Sequence, residues 1–287
     1  MLMDFTLKTY KSLLQSIKNS GYTFQTFEDF IRNPKEKVVV LRHDVDLLPQ
    51  NSQSFALIQA EMSVKATYYF RAVPESWDEG IIKEIANLGH EVGYHYENMD
   101  VTYSKLKDKR LKAKVERGSI EYDRLIDLAY EDFCESLEKL RKLVAVSTIC
   151  MHGSPKSPFD NKAIWDKYDY RELGIIGEPY FDVNFNEVLY LTDTGRRWDG
   201  WKVSVRDKMP QQDSWVKKGW IFHSTNDIIN AIKEDRLQKK IMITFHPQRW
   251  NDRLLPWLKE YFFQKTKNIA KYFLIQYRTW KSEHSVF

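Results

Sequence analysis

Cysteine is nearly absent from this chain: Cys134 and Cys150 are the only two among 287 residues. One falls in a helix-like and one in a strand-like segment. They form neither a metal-ligand spacing nor a disulfide framework, which fits a reducing compartment. Long apolar runs are missing too. No stretch approaches the roughly 18 residues that cross a bilayer, and Met1-Leu2-Met3-Asp4 carries an acid where an export signal needs an uninterrupted apolar core. The expectation is a soluble, cytoplasmic protein with no transmembrane segment. An excess of one charge is also lacking, since 44 Lys and Arg stand against 40 Asp and Glu for a net +4. That balance does not argue for nucleic acid. The basic run from Lys105 to Arg117 reads as a solvated face, with an anionic ligand or a membrane surface as the sharper alternative. Glycine and proline, 11 and 9 residues, build no linker. With no repeat or low-complexity tract, a single domain over 1–287 with an N-terminal helical extension over about 1–35 is expected.

What is present is a strand-then-helix rhythm. Val38-Val39-Val40-Leu41 is apolar and largely β-branched, as in a strand covered on both faces. It ends abruptly in Arg42-His43-Asp44-Val45-Asp46. Alternation along the strand puts Asp44 and Asp46 on one face and His43 on the other. Two adjacent carboxylates repel unless a cation or a proton compensates, so this tip is a candidate metal site; an ordinary acidic loop is the plain alternative.

Helices are expected over Thr6–Asn19, closed by Ser20-Gly21, over Ser52–Met62, from Asp78 to Gly89, and over Ile120–Leu143. A last one lies within Leu255–Lys281, packing Leu258, Phe262, Ile269, Phe273 and Ile275 on its apolar side. Further strands are expected at Ala66–Arg71, Glu91–Tyr96, Val146–Met151 and Lys240–Phe245. Weaker signals lie at Gly174–Gly177, Val188–Thr192 and Trp201–Val205. Such alternation implies an α/β fold with a mainly parallel sheet, and about seven strands in this length favour a distorted (β/α)7-type barrel. His43, Asp44, Asp46, His95, His152 and His246 all sit at the C-terminal ends of predicted strands, where α/β barrels build active sites.

The order of these motifs resembles the NodB-type polysaccharide deacetylases, carbohydrate esterase family 4, from about Val38 to Trp250. Leu41-Arg42-His43-Asp44-Val45-Asp46 looks like that family's first motif, and Ala66-Thr67-Tyr68-Tyr69-Phe70 like the strand that follows. Gly89-His90-Glu91-Val92-Gly93-Tyr94-His95 is similar to the segment leading into the second motif. Thr244-Phe245-His246 sits where the last motif supplies a histidine. The resemblance implies Asp44 as general base, Asp46 and His95 as ligands of a divalent metal, zinc, and His246 as general acid.

Three positions depart from the family pattern. The second histidine of the second motif falls at Met99, His43 replaces a phenylalanine, and Met151-His152-Gly153-Ser154-Pro155 lacks the usual arginine. A third metal ligand then comes from His152 or from Glu97, with His152 favoured. The pattern resembles a divergent, WbmS-like subgroup associated with bacterial surface-polysaccharide gene clusters. Its further signatures are Glu178-Pro179-Tyr180 and Leu191 to Trp198. The second of these implies substrate-binding roles for Asp193, Arg196 and Trp198, or else only a strand leaving through a glycine turn. Tyr94, Tyr96, Trp198, Trp201 and Trp250 offer faces for sugar stacking, although core packing is the commoner use of such rings. The implied substrate is an N-acylated sugar, nucleotide-linked or lipid-linked. The competing readings are a non-catalytic carbohydrate-binding descendant of the fold and a hydrolase of a different acyl or aminoacyl substituent.

Overall fold

The computed structural model describes residues 3–106, 112, 114–153, 158–202 and 209–284. Parts of the basic run (107–111 and 113) and the Ser154-Pro155 turn lie outside them. In chain order the elements are α1 (Leu7–Asn19), β1 (Thr23–Gln25), α2 (Phe27–Arg32), β2 (Val38–Val45), α3 (Pro49–Glu61), β3 (Thr67–Phe70) and α4 (Glu79–Asn87). Then come β4 (Glu91–Tyr96), α5 (Asn98–Lys105), α6 (Ile120–Arg141), β5 (Ile149–Met151), α7 (Pro179–Asp182) and β6 (Val188–Thr192). α8 (Gln212–Lys217), α9 (Thr225–Lys233), β7 (Lys240–Phe245) and α10 (Leu254–His284) complete the chain. Parallel strands connected through helices give the α/β class that the sequence predicts.

Local chemistry fixes the helix starts. The Thr6 hydroxyl accepts the Thr9 N–H at the head of α1, Asp78 accepts that of Ile81 at the head of α4, and Ser119 that of Tyr122 at the head of α6. Ser224 and Asp227 form a reciprocal capping box before α9. Each such cap satisfies a donor the first helical turn otherwise leaves open.

The chain divides into two compact units. One comprises Met1–Phe24, Lys35–His43 and Asn184–Phe287. In it β2, β7 and β6 run parallel, with His43 beside Phe245 and Thr192 beside Thr244. α1 packs its buried Leu13, Leu14 and Ile17 against α9. The eight residues of β2 are all buried, as a strand covered on both faces requires.

The other unit comprises Gln25–Pro34 and Asp44–Val183. Its strands β3, β4 and β5 are also parallel, with Phe70 beside Tyr94 and His95 beside Cys150. Glu91, at the start of β4, is buried. Its carboxylate accepts the backbone N–H of Glu28 at 2.9 Å and the hydroxyls of Thr67, at 2.7 Å, and Thr148. Burial raises its pKa above the ordinary glutamate value, and the three hydrogen bonds offset part of that rise.

Several expectations are corrected here. Gly174–Gly177 forms no strand; a 3-10 turn over Tyr170–Leu173 leads to a single bridge between Thr148 and Gly177. Gly200–Lys202 is a 3-10 helix rather than the start of a strand, and residues 203–205 lie outside the described residues. The apolar side of the last helix does not pack into a core: Phe262, Ile269 and Phe273 are exposed. The side chain of Ile275 lies outside the described ones.

Candidate metal centre and active site

Three strand ends of the second unit converge. β2 stops at Val45, and Asp46 follows in a tight bend in which its N–H bonds the Asp44 carbonyl at 3.1 Å. His95 is the fifth residue of β4, and His152 directly follows β5. The Asp46 Oδ1 atom lies 3.7 Å from His95 Nε2 and 3.6 Å from His152 Nε2. These separations exceed a hydrogen bond. They approach the roughly 3.4 Å between neighbouring donors of a four-coordinate zinc with bonds near 2.0–2.1 Å. Asp44 Oδ2 stands 3.8 Å from the same His95 nitrogen.

The orientation of both imidazoles supports a metal more strongly than the distances do. His95 turns Nδ1 to the Cys150 carbonyl at 2.9 Å, so that nitrogen carries a proton and, in the neutral imidazole, Nε2 is the one with the lone pair. His152 turns Nδ1 to Glu97 Oε2 at 2.8 Å. A histidine ligand is held in this way wherever its second nitrogen is engaged by a carbonyl or carboxylate. Glu97 is anchored in turn by Arg71, whose Nη2 lies 2.6 Å from Oε1 and whose Nη1 donates to the Asp46 carbonyl at 2.9 Å. Burial alone would lower the His152 pKa. The Glu97 hydrogen bond and the charges of Asp46 and Glu97 outweigh it and raise the value. For Glu97, burial pushes upward, and His152 and Arg71 together pull the carboxyl below its ordinary range.

A donor set of two imidazoles and a carboxylate fits a borderline divalent ion such as zinc. Asp44, His95 and Cys150 form an overlapping group, in which the Cys150 thiol also donates to the Met151 carbonyl at 3.7 Å. Met99 stands apart from this cluster. It has no exposure and packs with Val115, Tyr122, Leu125 and Ile126, so the position that resembles a histidine site belongs to the core. Glu97 does not extend β4 as a continuing strand would; the strand ends at Tyr96, and Glu97 occupies the N-cap position before α5.

The first unit holds the other titratable cluster. Asp193, just past β6, is fully buried and accepts His246 Nδ1 at 2.6 Å, the His246 backbone N–H at 3.0 Å, Arg249 Nη1 at 3.1 Å and Trp250 Nε1 at 2.6 Å. Burial pushes its carboxyl up, but the charges of His246 and Arg249 and the Trp250 bond prevail and hold it below the usual range.

Asp193 therefore touches His246. Arg196 follows a tight turn that needs glycine: Gly195 has φ +69°, and the Arg196 N–H bonds the Asp193 carbonyl at 2.8 Å. Its guanidinium stacks on Trp257 at 4.1 Å, and burial lowers its pKa to about 10, so it stays charged at neutral pH. Trp198 is buried among Phe5, Phe245 and Trp250, with its indole N–H on Thr225 at 3.0 Å. Thus Arg196 and Trp198 are packed residues here. His43 stacks on Phe245 and bonds Tyr10 at 3.1 Å. Glu178 accepts the Met151 N–H at 3.0 Å and caps α7.

Sequence reasoning passed over Arg71 and Arg249. Arg71 directly follows β3 and so obeys the same strand-end rule that singled out the histidines. Arg249 lies three residues beyond His246, one turn of the short 3-10 segment Pro247–Arg249.

No protein-family model matches the chain, and no curated protein does. Among solved structures it is similar to the deacetylase PplD of Streptococcus pyogenes in complex with acetate, at 19% identity and a TM-score of 0.37, over 50% of this chain and 61% of that one. It is similar to the family 4 carbohydrate esterase PdaA of Bacillus subtilis, at 12% identity and a TM-score of 0.36, over 89% and 83%. It is also similar to a Bacillus anthracis pseudoenzyme of that esterase family, BA3943, at 14% identity and a TM-score of 0.35, over 83% and 63%. The chain thus spans less than two thirds of the length of the first and last of these.

Proposed function

We propose that this chain is a metal-dependent hydrolase that removes an N-acyl group, N-acetyl in the simplest case, from an amino sugar in surface-polysaccharide biosynthesis. The observation that carries the reading is the convergence of Asp46, His95 and His152 beside Asp44, with each imidazole oriented through Nδ1. Asp46, His95 and His152 would hold a divalent ion, which supplies Lewis acidity at an amide carbonyl and acidifies a water. Asp44 accepts the proton of the attacking water as general base. His246 gives a proton from Nε2 to the departing nitrogen, since an amine leaves poorly as an anion. Asp193 fixes the tautomer of His246 and stabilises its charged form. The substrate is an N-acylated sugar, nucleotide-linked or lipid-linked, met in the cytoplasm.

Elemental analysis of purified protein tests this directly. About one metal per chain is expected in the wild type, lost in Asp46→Ala and in His152→Ala. Asp44→Asn keeps the metal and loses hydrolysis of an N-acetylated amino sugar. Turnover retained in Asp44→Asn removes the base assignment. Metal-free wild type under replete conditions removes the whole reading and leaves a sugar-binding module.

A further inference from the structure

The terminal helix α10 turns its apolar side away from the unit that carries it. Leu255, Phe262, Ile269 and Phe273 are 78%, 60%, 54% and 66% exposed. Spaced by seven, seven and four residues, they share one side of the helix. Phe263 and Tyr272 add exposed rings. The side facing the unit is polar instead. Asn268 donates to the Gly195 carbonyl at 2.8 Å, Trp257 Nε1 to the Asp4 carbonyl at 2.7 Å, and Arg196 Nη1 to the Trp257 carbonyl at 2.8 Å. A helix that only completes a globular core is built the other way round. An apolar stripe of this extent on a surface marks an interaction site.

Charge identifies the occupant. Between Leu254 and Phe273 the helix carries Lys259, Lys265, Lys267 and Lys271 and a single acid, Glu260. That acid is half-buried and accepts the amide of Gln264 at 2.7 Å. Pairing two copies through this stripe would set Lys259 and Lys265, which flank it on the helix, against the same two lysines of the other copy, which is unfavourable. An anionic surface is complementary. Beside the stripe, a cavity of about 530 Å³ is lined by Arg196, Arg197, Lys265, Asn268, Tyr272 and Phe273, cationic on one side and aromatic on the other. That combination suits a phosphate headgroup with its attached chain.

We propose that α10 docks the protein on an anionic lipid surface, with the Leu255–Phe262–Ile269–Phe273 stripe entering the headgroup boundary and the flanking Lys259 and Lys265 facing phosphates. Interfacial helices of basic amphipathic character bind membranes by this division of labour. The full chain should co-sediment with vesicles of equal parts phosphatidylcholine and phosphatidylglycerol, and stay in solution with phosphatidylcholine alone. Two double variants, Phe262→Ser with Phe273→Ser and Lys259→Glu with Lys265→Glu, should each weaken partition roughly tenfold or more. Their thermal midpoints should match the wild type, because these side chains are exposed. Absence of binding to the anionic vesicles, or equal partition of both variants and wild type, overturns the proposal. So does a dimer in sedimentation velocity that the double serine variant dissolves, since a second copy would then cover the stripe. Metal content and hydrolysis are untouched by these outcomes, so the site reading stands or falls separately.

Discussion

Replacing Asp193 by alanine tests how firmly one buried carboxylate organises the end of β7. The side chain has no exposure and receives N–H groups from His246, Arg249 and Trp250. Alanine removes the acceptor and leaves those donors in place. Trp250 and Arg249 are only 1% and 9% exposed, so neither turns readily to water. Each stranded donor costs about 1–3 kcal/mol, and loss of one member of a buried ion pair costs about 3–5 kcal/mol. His246, nearer the surface, recovers part of its share from solvent. A net loss of about 3–5 kcal/mol is therefore expected, read as a urea midpoint lowered by about 1–2 M at unchanged slope. The pH dependence has a definite sign. The Asp193 pKa is depressed in the folded state, so its contribution is complete above the unfolded carboxyl value near 4 and disappears as pH falls through the lower folded value. The gap between wild type and Asp193→Ala should accordingly close in acid. A loss below about 1 kcal/mol at neutral pH, or a gap that widens in acid, refutes this account.

Glu97→Gln should weaken metal binding about 10- to 100-fold in a competition titration, because the His152 Nδ1 loses its charged acceptor while every ligand atom remains. Unchanged affinity would show that Glu97 does not orient the ligand. Gly93→Ala should destabilise the second unit by about 1–3 kcal/mol in thermal unfolding. The added Cβ overlaps the Tyr69 ring and sits 2.8 Å from the Thr148 carbonyl oxygen.

Much of this architecture was legible in the sequence because it rests on local rules. β-branched runs became β2 and β7, and Asp78 and the Ser20-Gly21 stop bounded their helices as capping chemistry dictates. The strand-end rule gathered His43, Asp44, Asp46, His95, His152 and His246 without assigning their roles, and three of them, Asp46, His95 and His152, lie close enough together to share an ion. Other features depend on tertiary context. Periodicity reveals that α10 has an apolar side but carries no information on which way that side faces. The Arg71–Glu97–His152 chain joins residues from three separate segments, and no spacing along the sequence encodes it. Met99 falls at the spacing of the motif's second histidine, but α5, which starts at Asn98, carries its thioether into a buried cluster with Val115, Tyr122, Leu125 and Ile126.

Along one face of β4, Glu91, Gly93 and His95 alternate with their buried neighbours. Because position 93 has no side chain, the Tyr69 ring slides into its place and lies below the His95 imidazole, with ring centres 6.4 Å apart. The Tyr69 hydroxyl is itself tethered to Thr148, which also bonds Glu91. The imidazole therefore rests on a hard floor rather than on compressible hydrocarbon. Any substitution that deepens the space beside this imidazole must therefore first displace a ring that is anchored at its hydroxyl end.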